Sequence, residues 1–222
     1  MATAYTIQDA VAARLWPGAI TAWKTGAKAP DAEPIAAPIL QPLIFHGDTE
    51  LPGSDFQHRG IEGELAYRLG QDLPLKEAPY SKHDLREAIS AIHPAIEIVD
   101  SRLSDWEQAG PLWKLADNQI NGALVVGPAV SDWRAVKPTK QPVELHVDGE
   151  SVVSATGGNP AGDPIRLLVW MANHCAARGY SLSAGTLITT GSCTGLRFVG
   201  PDSTAKVIFA GLGTVTVSFT AD

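Results

Sequence analysis

The run HRGIEGELAYRLG, residues 58–70, constrains the fold more than any other part of the chain. Read as an extended strand, it places every second side chain on the same face. Ile61, Leu65, Tyr67 and Leu69 then make an apolar face that a core must cover, while Glu62, Glu64 and Ala66 make the other. Two residues of strand rise separate the carboxylates by roughly 6–7 Å, and at that range each raises the pKa of the other unless a cation lies between them. Two arrangements satisfy this pattern. Either a hard cation sits between the glutamates, or they lie on a solvated outer face with Arg59 and Arg68 as neighbours.

At 222 residues the chain is long enough to bury one sizeable core, and a single domain over residues 1–222 is expected. IQDAVAARL, Ile7 to Leu15, has helical apolar spacing and is ended by Pro17 and Gly18. AITAWKTG, Ala19 to Gly26, has the character of a short strand, and the proline- and alanine-dense AKAPDAEPIAAPILQP after it is expected to be a loop or lid. SKHDLREAISAI opens on a capping-box pair, Ser81 and Asp84, and its spacing predicts a helix through Ile92 that His93 and Pro94 stop. AIEIVDSR is the next strand, and Glu97 interrupts its apolar run.

From GALVVG onward strand signals dominate. VELHVDGESVVS is split by an Asp148-Gly149 hairpin turn, and TLITTG, AKVIFAG and GTVTVSFT follow. One helix breaks this meander, with Asp163 as cap, Pro164 in first position, IRLLVWMANHCAAR as body and Gly179 at its end.

Seventeen basic against twenty-four acidic residues give a net charge of −7, which argues against a nucleic-acid partner. The N-terminus lacks a basic stretch followed by an apolar core, and no apolar run is long enough to span a bilayer. A cytoplasmic location without a membrane partner is therefore expected. Cys175 and Cys193 are the only cysteines, and no CxxC or zinc-finger spacing accompanies them, so both are expected reduced and buried.

Glu62, Glu64 and Glu97 are three acids in strand contexts, with a helix between the second and third that can return the chain to a neighbouring strand. Converging, they would suit one octahedral ion, Mg2+ or Mn2+, with positions left for water and a substrate. A 2-oxo acid replacing that water would have its developing enolate stabilised. Lys24 lies between Trp23 and a glycine turn, where partial burial would lower its pKa toward acid/base work; an ordinary surface lysine is the alternative.

TTGSCTG, Thr189 to Gly195, runs from strand into a loop suited to presenting N–H groups and hydroxyls to a carboxylate. It has neither the GxSxG pattern nor the following helix of a nucleophile elbow, and GLGTV near the end enters a strand rather than a helix, unlike a dinucleotide fingerprint. His174 and His146 have the setting of packed or capping residues, while His46 and His58 remain remote candidates. Asp100 and Arg102 are expected to form a structural pair.

Taken in order, AYTIQDAVAARL, AWKTG, IEGELAYRLGQDLP, HPAIEIVDSRLSDW, LADNQINGALVVG, the long segment from GNPAGDPIRLLVW to LITTGS, and AGLGTVTVSF resemble the fumarylacetoacetate hydrolase superfamily. Within it they resemble the 2-keto-4-pentenoate hydratase and 4-oxalocrotonate decarboxylase branch. The resemblance covers nearly the whole chain. It implies an α+β fold, a mixed β roll flanked by a few helices and assembled into a homo-oligomer. Residues 1–50 would supply the helix, lysine strand and lid loop, and residues 51–222 the metal-binding roll.

The resemblance further implies that Glu62, Glu64 and Glu97 hold a magnesium or manganese ion and that Lys24 is catalytic. Ser192, Thr194 and Gly195, with Asp117 and Asn118, are the candidate residues for a small 2-oxo or 2-hydroxy acid substrate. The implied activity is hydration of a 2-hydroxy-2,4-dienoate in aromatic catabolism. An acylpyruvate-type C–C hydrolase, an oxo-acid decarboxylase or tautomerase, and a non-catalytic partner of an active relative are the alternatives. The hydrolase would use a lid histidine, and residues 27 to 45 contain none. Where hydratases of this branch carry the Asp of a PDFG segment this chain has PILQ, Pro38 to Gln41, and its lid is short, so Asp31 or Glu33 would have to serve.

Overall fold

Strands of opposite-faced character require two different partners, and the chain supplies both. The structure, a computed structural model, describes residues 1–221. Helix α1 (Ala2–Leu15) leads into β1 (Ala22–Gly26) and β2 (Ile35–Ile39). β3 (Ile44–His46) and β4 (Thr49–Pro52) precede the long β5 (Gly60–Leu69). Helix α2 (Lys82–Ala88) runs into β6 (Ile89–Val99), and α3 (Pro111–Ala116) precedes β7 (Asn121–Val126). The hairpin of β8 (Pro142–Val147) and β9 (Glu150–Thr156) is followed by α4 (Pro164–Ala177), β10 (Leu187–Thr189), β11 (Arg197–Phe198), β12 (Thr204–Phe209) and β13 (Gly213–Thr220).

One sheet runs β2-β1-β10-β5-β6-β7-β3 with β11 also on β5, and the other runs β4-β13-β12-β8-β9. Residues 1–50 are therefore not an appendage, because β1, β2 and β3 are strands of the larger sheet. The apolar face of β5 packs, with Ile96 and Ile98 of β6, against Leu145, Val207, Val215 and Val217 of the second sheet. On the other face, Ala22, Ile39, Ala66, Ala95, Leu124, Val126 and Leu187 form one cluster. These residues come from six strands, so the larger sheet must curl on itself to bring them together. Glu62 and Glu64 lie on this inner face. The expected α+β roll is what the chain forms.

Several expectations are corrected. Helix α2 stops at Ala88, and residues 89–94 belong to a central strand instead of the helix. Pro94 is tolerated there because its missing N–H falls just past the end of β7: the Pro94 carbonyl accepts from Gly127 N–H at 2.8 Å. The Gly127 carbonyl is served in turn by Nδ1 of His93 at 2.9 Å. Half of the supposed lid is core, since β2 pairs with β1 in the register Trp23 to Pro38. It is an edge strand, where a proline costs no ladder bond.

Helix α1 begins earlier than expected and turns its small residues inward. It buries Ala4, Gln8 and Ala12, with the Gln8 amide donating to the carbonyls of Leu115 (2.8 Å) and Ala36 (3.2 Å), while Ile7, Val11 and Leu15 are 41%, 40% and 64% exposed. Asp148 and Gly149 make the expected hairpin turn, with φ of 52° and 87°. Cys175 and Cys193 are buried free thiols. Among the described residues no helix is long and apolar enough to cross a membrane.

Helix α1 is clamped to α4 through rings and charges. His174 stacks on Trp170 at 4.4 Å and tilts against Tyr5 at 4.8 Å. Arg178 pairs with Asp9 and lies 4.4 Å over the Tyr5 ring. It also donates to Nε2 of His174 at 3.1 Å, which requires a neutral imidazole. Burial, and then the Arg178 charge, push the His174 pKa down from 6.5 to about 4. Between those values the unfolded chain binds the extra proton, so stability is full above about pH 6.5 and falls as pH drops toward 4. Because the ring is only half-buried, the expected loss is about 1–2 kcal/mol. Urea unfolding of wild type and His174→Gln at pH 7.5 and 4.5 measures it as the difference between their two pH responses, in which the titration of Glu62 cancels, and the variant should lose that much less on acidification.

Candidate active site

Glu62 and Glu97 are direct cross-strand partners in the β5–β6 ladder, and Glu64 follows two residues along the same face. Like charges directly opposite on a sheet repel, yet the three side chains are turned toward one another, with one carboxylate oxygen from each within 4.8 Å of the others. Glu64 and Glu97 are each 1% exposed and Glu62 is partly open. The solvated-face alternative is thereby removed. Burial, and then Glu97, push the Glu62 pKa up to about 7. Burial, then Glu97 and Glu62, hold Glu64 well above the usual carboxylate range.

Each carboxylate is aimed by a neighbour. Glu97 Oε1 accepts from Asn121 Nδ2 at 3.0 Å and from Lys24 Nζ, while its Oε2 is buried without a partner. Glu64 Oε2 accepts from the Gly191 N–H at 3.0 Å. Lys24, in β1, also donates to the Gln119 carbonyl at 3.1 Å. Its pKa moves opposite to the expected direction. Burial alone would lower it, but Glu97, Glu62 and Glu64 outweigh burial and hold it above the ordinary lysine value.

Three carboxylates against one ammonium leave two formal negative charges in a buried, all-oxygen cluster with an unpartnered acceptor. That donor set fits a hard divalent cation, and Glu62, Glu64 and Glu97 are the residues able to hold it.

A cleft of about 430 Å³ opens beside this cluster, and Glu62, Ser192 and Gln119 are polar residues of its lining. None of the other four expected substrate-facing residues lines the cleft, and two of them, Thr194 and Asp117, serve the framework. Thr194 Oγ1 accepts from the Gly63 N–H at 2.8 Å, and Cys193 N–H donates to the Gly63 carbonyl at 2.7 Å, so this loop is laced to β5 between the two glutamates. Gly195 lies beyond that lacing and is exposed. Asp117 pairs with Arg102 at 2.6 Å and accepts from the Ser101 hydroxyl at 2.8 Å. Asn118 lies in the adjoining turn but does not line the cleft.

Arg102 thus pairs with Asp117 in place of the expected Asp100. Asp100 instead accepts from the backbone N–H of Gln57 and His58 and fixes the entry to β5. His58 packs on Trp106 and His46 is exposed, and neither lines the cleft. Glu33 lines it and Asp31 does not.

Gln119 and Asn121 were not legible as site residues, whereas Gly191 lies in the loop expected to present backbone N–H groups, and it gives its N–H to the Glu64 carboxylate. Asn118, Gln119 and Ile120 have φ of 50°, 52° and 55°, three successive left-handed residues without a glycine. The left-handed region is strained for a β-branched residue such as Ile120. This bend turns the Gln119 carbonyl to Lys24 and brings its side chain, whose Nε2 has no partner, to the cleft. No periodicity in the sequence signals such a turn.

A match to the fumarylacetoacetate (FAA) hydrolase C-terminal family spans residues 19–220. The 2-keto-4-pentenoate hydratase of Paraburkholderia xenovorans (strain LB400) is 29% identical over 188 residues, covering 84% of this chain and 68% of its own length. A 4-oxalocrotonate decarboxylase of Pseudomonas sp is 31% identical over 177 residues, covering 78% of this chain and 65% of its own. The chain thus spans about two thirds of the length of these relatives. The structure of 4-oxalocrotonate decarboxylase from Pseudomonas putida G7, complexed with magnesium and adipate, superposes with a TM-score of 0.86 at 25% identity, over 99% of this chain and 86% of that one. Its complex with calcium and acetate gives a TM-score of 0.84.

Proposed function

This chain belongs to the fumarylacetoacetate hydrolase family, and from that premise we propose that it is a divalent-metal-dependent hydro-lyase, adding water to a 2-hydroxy-2,4-dienoate of the 2-keto-4-pentenoate type in the catabolism of aromatic compounds. The observation that carries the reading is the meeting of Glu62, Glu64 and Glu97 within 4.8 Å, with Lys24 against them. The three glutamates would hold magnesium or manganese, which when bound supplies a Lewis-acid seat for the substrate carboxylate and 2-oxygen.

Lys24 Nζ, kept as an ammonium by its carboxylate neighbours, gives a proton to the terminal diene carbon and is reprotonated by the 2-hydroxyl, whose oxygen becomes the ketone. The dienol becomes a 2-oxo-3-enoate with no net change in protons. Water then adds its hydroxyl at C4 and its hydrogen at C3, giving a 4-hydroxy-2-oxo acid. Glu33, the acid on the cleft wall, takes the place of the Asp that the PILQ segment lacks as acceptor of the water proton.

The Ser192 hydroxyl and the Gln119 amide orient the substrate carboxylate. Gln119 Nε2 is a buried donor without a partner, which a ligand oxygen would satisfy, and the Ser192 hydroxyl stands beside the Glu62 carboxylate at the same wall. Gln119→Ala should raise KM about tenfold, the worth of one hydrogen bond to a charged group, with kcat changed far less. Steady-state kinetics read that split.

A second reading, decarboxylation or tautomerisation of an oxo acid, is favoured by one observation. The segment where the missing Asp would lie is buried from Pro38 to Leu40, which leaves only Glu33 to activate water. Ultraviolet monitoring with magnesium separates the two. Hydration removes the dienol absorbance and accumulates a 4-hydroxy-2-oxo acid, whereas decarboxylation releases carbon dioxide.

A further inference from the structure

A second cavity, of about 80 Å³, lies on the face of β5 opposite the glutamates, and it is several times what a single water needs. Tyr67 of β5, Arg86 of α2, Trp133, Arg134, and Asp163 and Ile165 at the start of α4 are among its lining. Tyr67 is 1% exposed, and its hydroxyl is buried without a hydrogen-bond partner among the described residues. Burial, then Cys193 and Asp163, hold its pKa above the ordinary phenol value, so the group stays protonated and donates. A buried donor of this kind is destabilising unless something accepts from it.

The charges around the cavity do not balance. Its one acid, Asp163, is already matched: it caps the Ile165 N–H at 3.0 Å and pairs with Lys82 at 3.1 Å. Arg134 is seated over the Trp133 ring at 5.0 Å, and its Nη2 donates to the Arg86 carbonyl (2.9 Å) and to Glu87 (3.2 Å), which leaves Nε and Nη1 to give. Among the described residues the Arg86 guanidinium has neither a hydrogen bond nor an ion pair. One cation is thus in excess, in a chain whose net charge is −7. Water would satisfy the Tyr67 hydroxyl alone. An oxyanion would satisfy the hydroxyl and the surplus charge together, beside the N-terminal turn of α4, where the helix dipole also favours an anion.

We propose that this cavity is a second ligand site, separate from the acidic cluster, that takes a tetrahedral oxyanion, phosphate either free or as a small monoester, with the Tyr67 hydroxyl and the Arg86 and Arg134 guanidiniums as its donors. Donors arriving from three separate elements suit four tetrahedral oxygens better than a flat carboxylate.

Calorimetric titration of the full chain without added metal, at constant ionic strength, tests this with inorganic phosphate, phenyl phosphate and acetate. One phosphate per chain is expected, with acetate at least tenfold weaker. Tyr67→Phe keeps the ring in place and should weaken phosphate binding about tenfold, the loss of one hydrogen bond to a charged group. Arg86→Gln, at an exposed position, should weaken it at least tenfold. Arg14→Gln, an exposed arginine of α1 that does not line the cavity, should leave it unchanged. Thermal unfolding without phosphate establishes that each variant is folded. Phenyl phosphate binding as tightly as phosphate assigns the site to a monoester, and weaker binding assigns it to the free ion; the site stands in both cases. The proposal is overturned if phosphate does not bind saturably, if either Tyr67→Phe or Arg86→Gln binds it as wild type does, or if acetate binds as tightly.

Discussion

Glu97→Gln is expected to abolish divalent-ion binding and to lower kcat/KM at least about 10³-fold, the scale on which a preorganised charge-stabilising group acts. The substitution keeps the shape of the side chain and its contact with Asn121, so packing is preserved. What it removes is the charge shared by both other carboxylates and Lys24. Without added metal its stability should stay close to wild type, because losing the Lys24 ion pair is offset by relief of repulsion on Glu62 and Glu64.

The difference appears on adding magnesium. A ligand at a hundred times its Kd stabilises the native state by about 2.7 kcal/mol. Wild type should show that rise in thermal unfolding and Glu97→Gln should not. An unchanged magnesium response in the variant would remove Glu97 from the site.

Lys24→Met is expected to lower kcat by about 10²–10⁴-fold, the range of a positioned proton-transfer group, while leaving metal binding intact or tighter. The reasoning is electrostatic. Lys24 and a bound cation answer the same negative cluster, so deleting the lysine leaves three carboxylates for the ion alone. Methionine fills most of the buried stem volume, which limits the structural cost. If metal affinity and kcat fell together, Lys24 would be holding the cluster in shape and not moving a proton. If kcat were unaffected, the proposed proton transfer would be wrong.

The strand 61–69 was legible because its alternation is unbroken and its two faces meet different surroundings. The three acids were legible because they fall at in-phase positions of strands that proved adjacent, with Glu62 opposite Glu97. Where reading failed, long-range pairing overrode local signals. Ile89 to Pro94 has helical spacing, yet β5 supplies it with ladder partners along one side, and Ile92 bridges to Val130 on the other. Proline-rich Ile35 to Ile39 has the composition of a loop, yet becomes an edge strand because β1 offers it a register.

The substrate-facing residues were the hardest to read. Asp117 and Thr194 are polar residues whose partners lie elsewhere in the fold, on Arg102 and Gly63. Gln119, one turn residue further on, reaches the cleft only through a left-handed backbone that glutamine does not advertise.

Titration with Mn2+ followed by electron paramagnetic resonance tests the central claim most directly, on wild type and on Glu62→Gln, Glu64→Gln and Glu97→Gln, with Glu33→Gln as a control outside the cluster. One tightly held ion per chain in wild type and in the control, lost or weakened at least a hundredfold in each of the three variants, is the predicted result. No bound ion in wild type, or the same stoichiometry and affinity in all three variants, would contradict it.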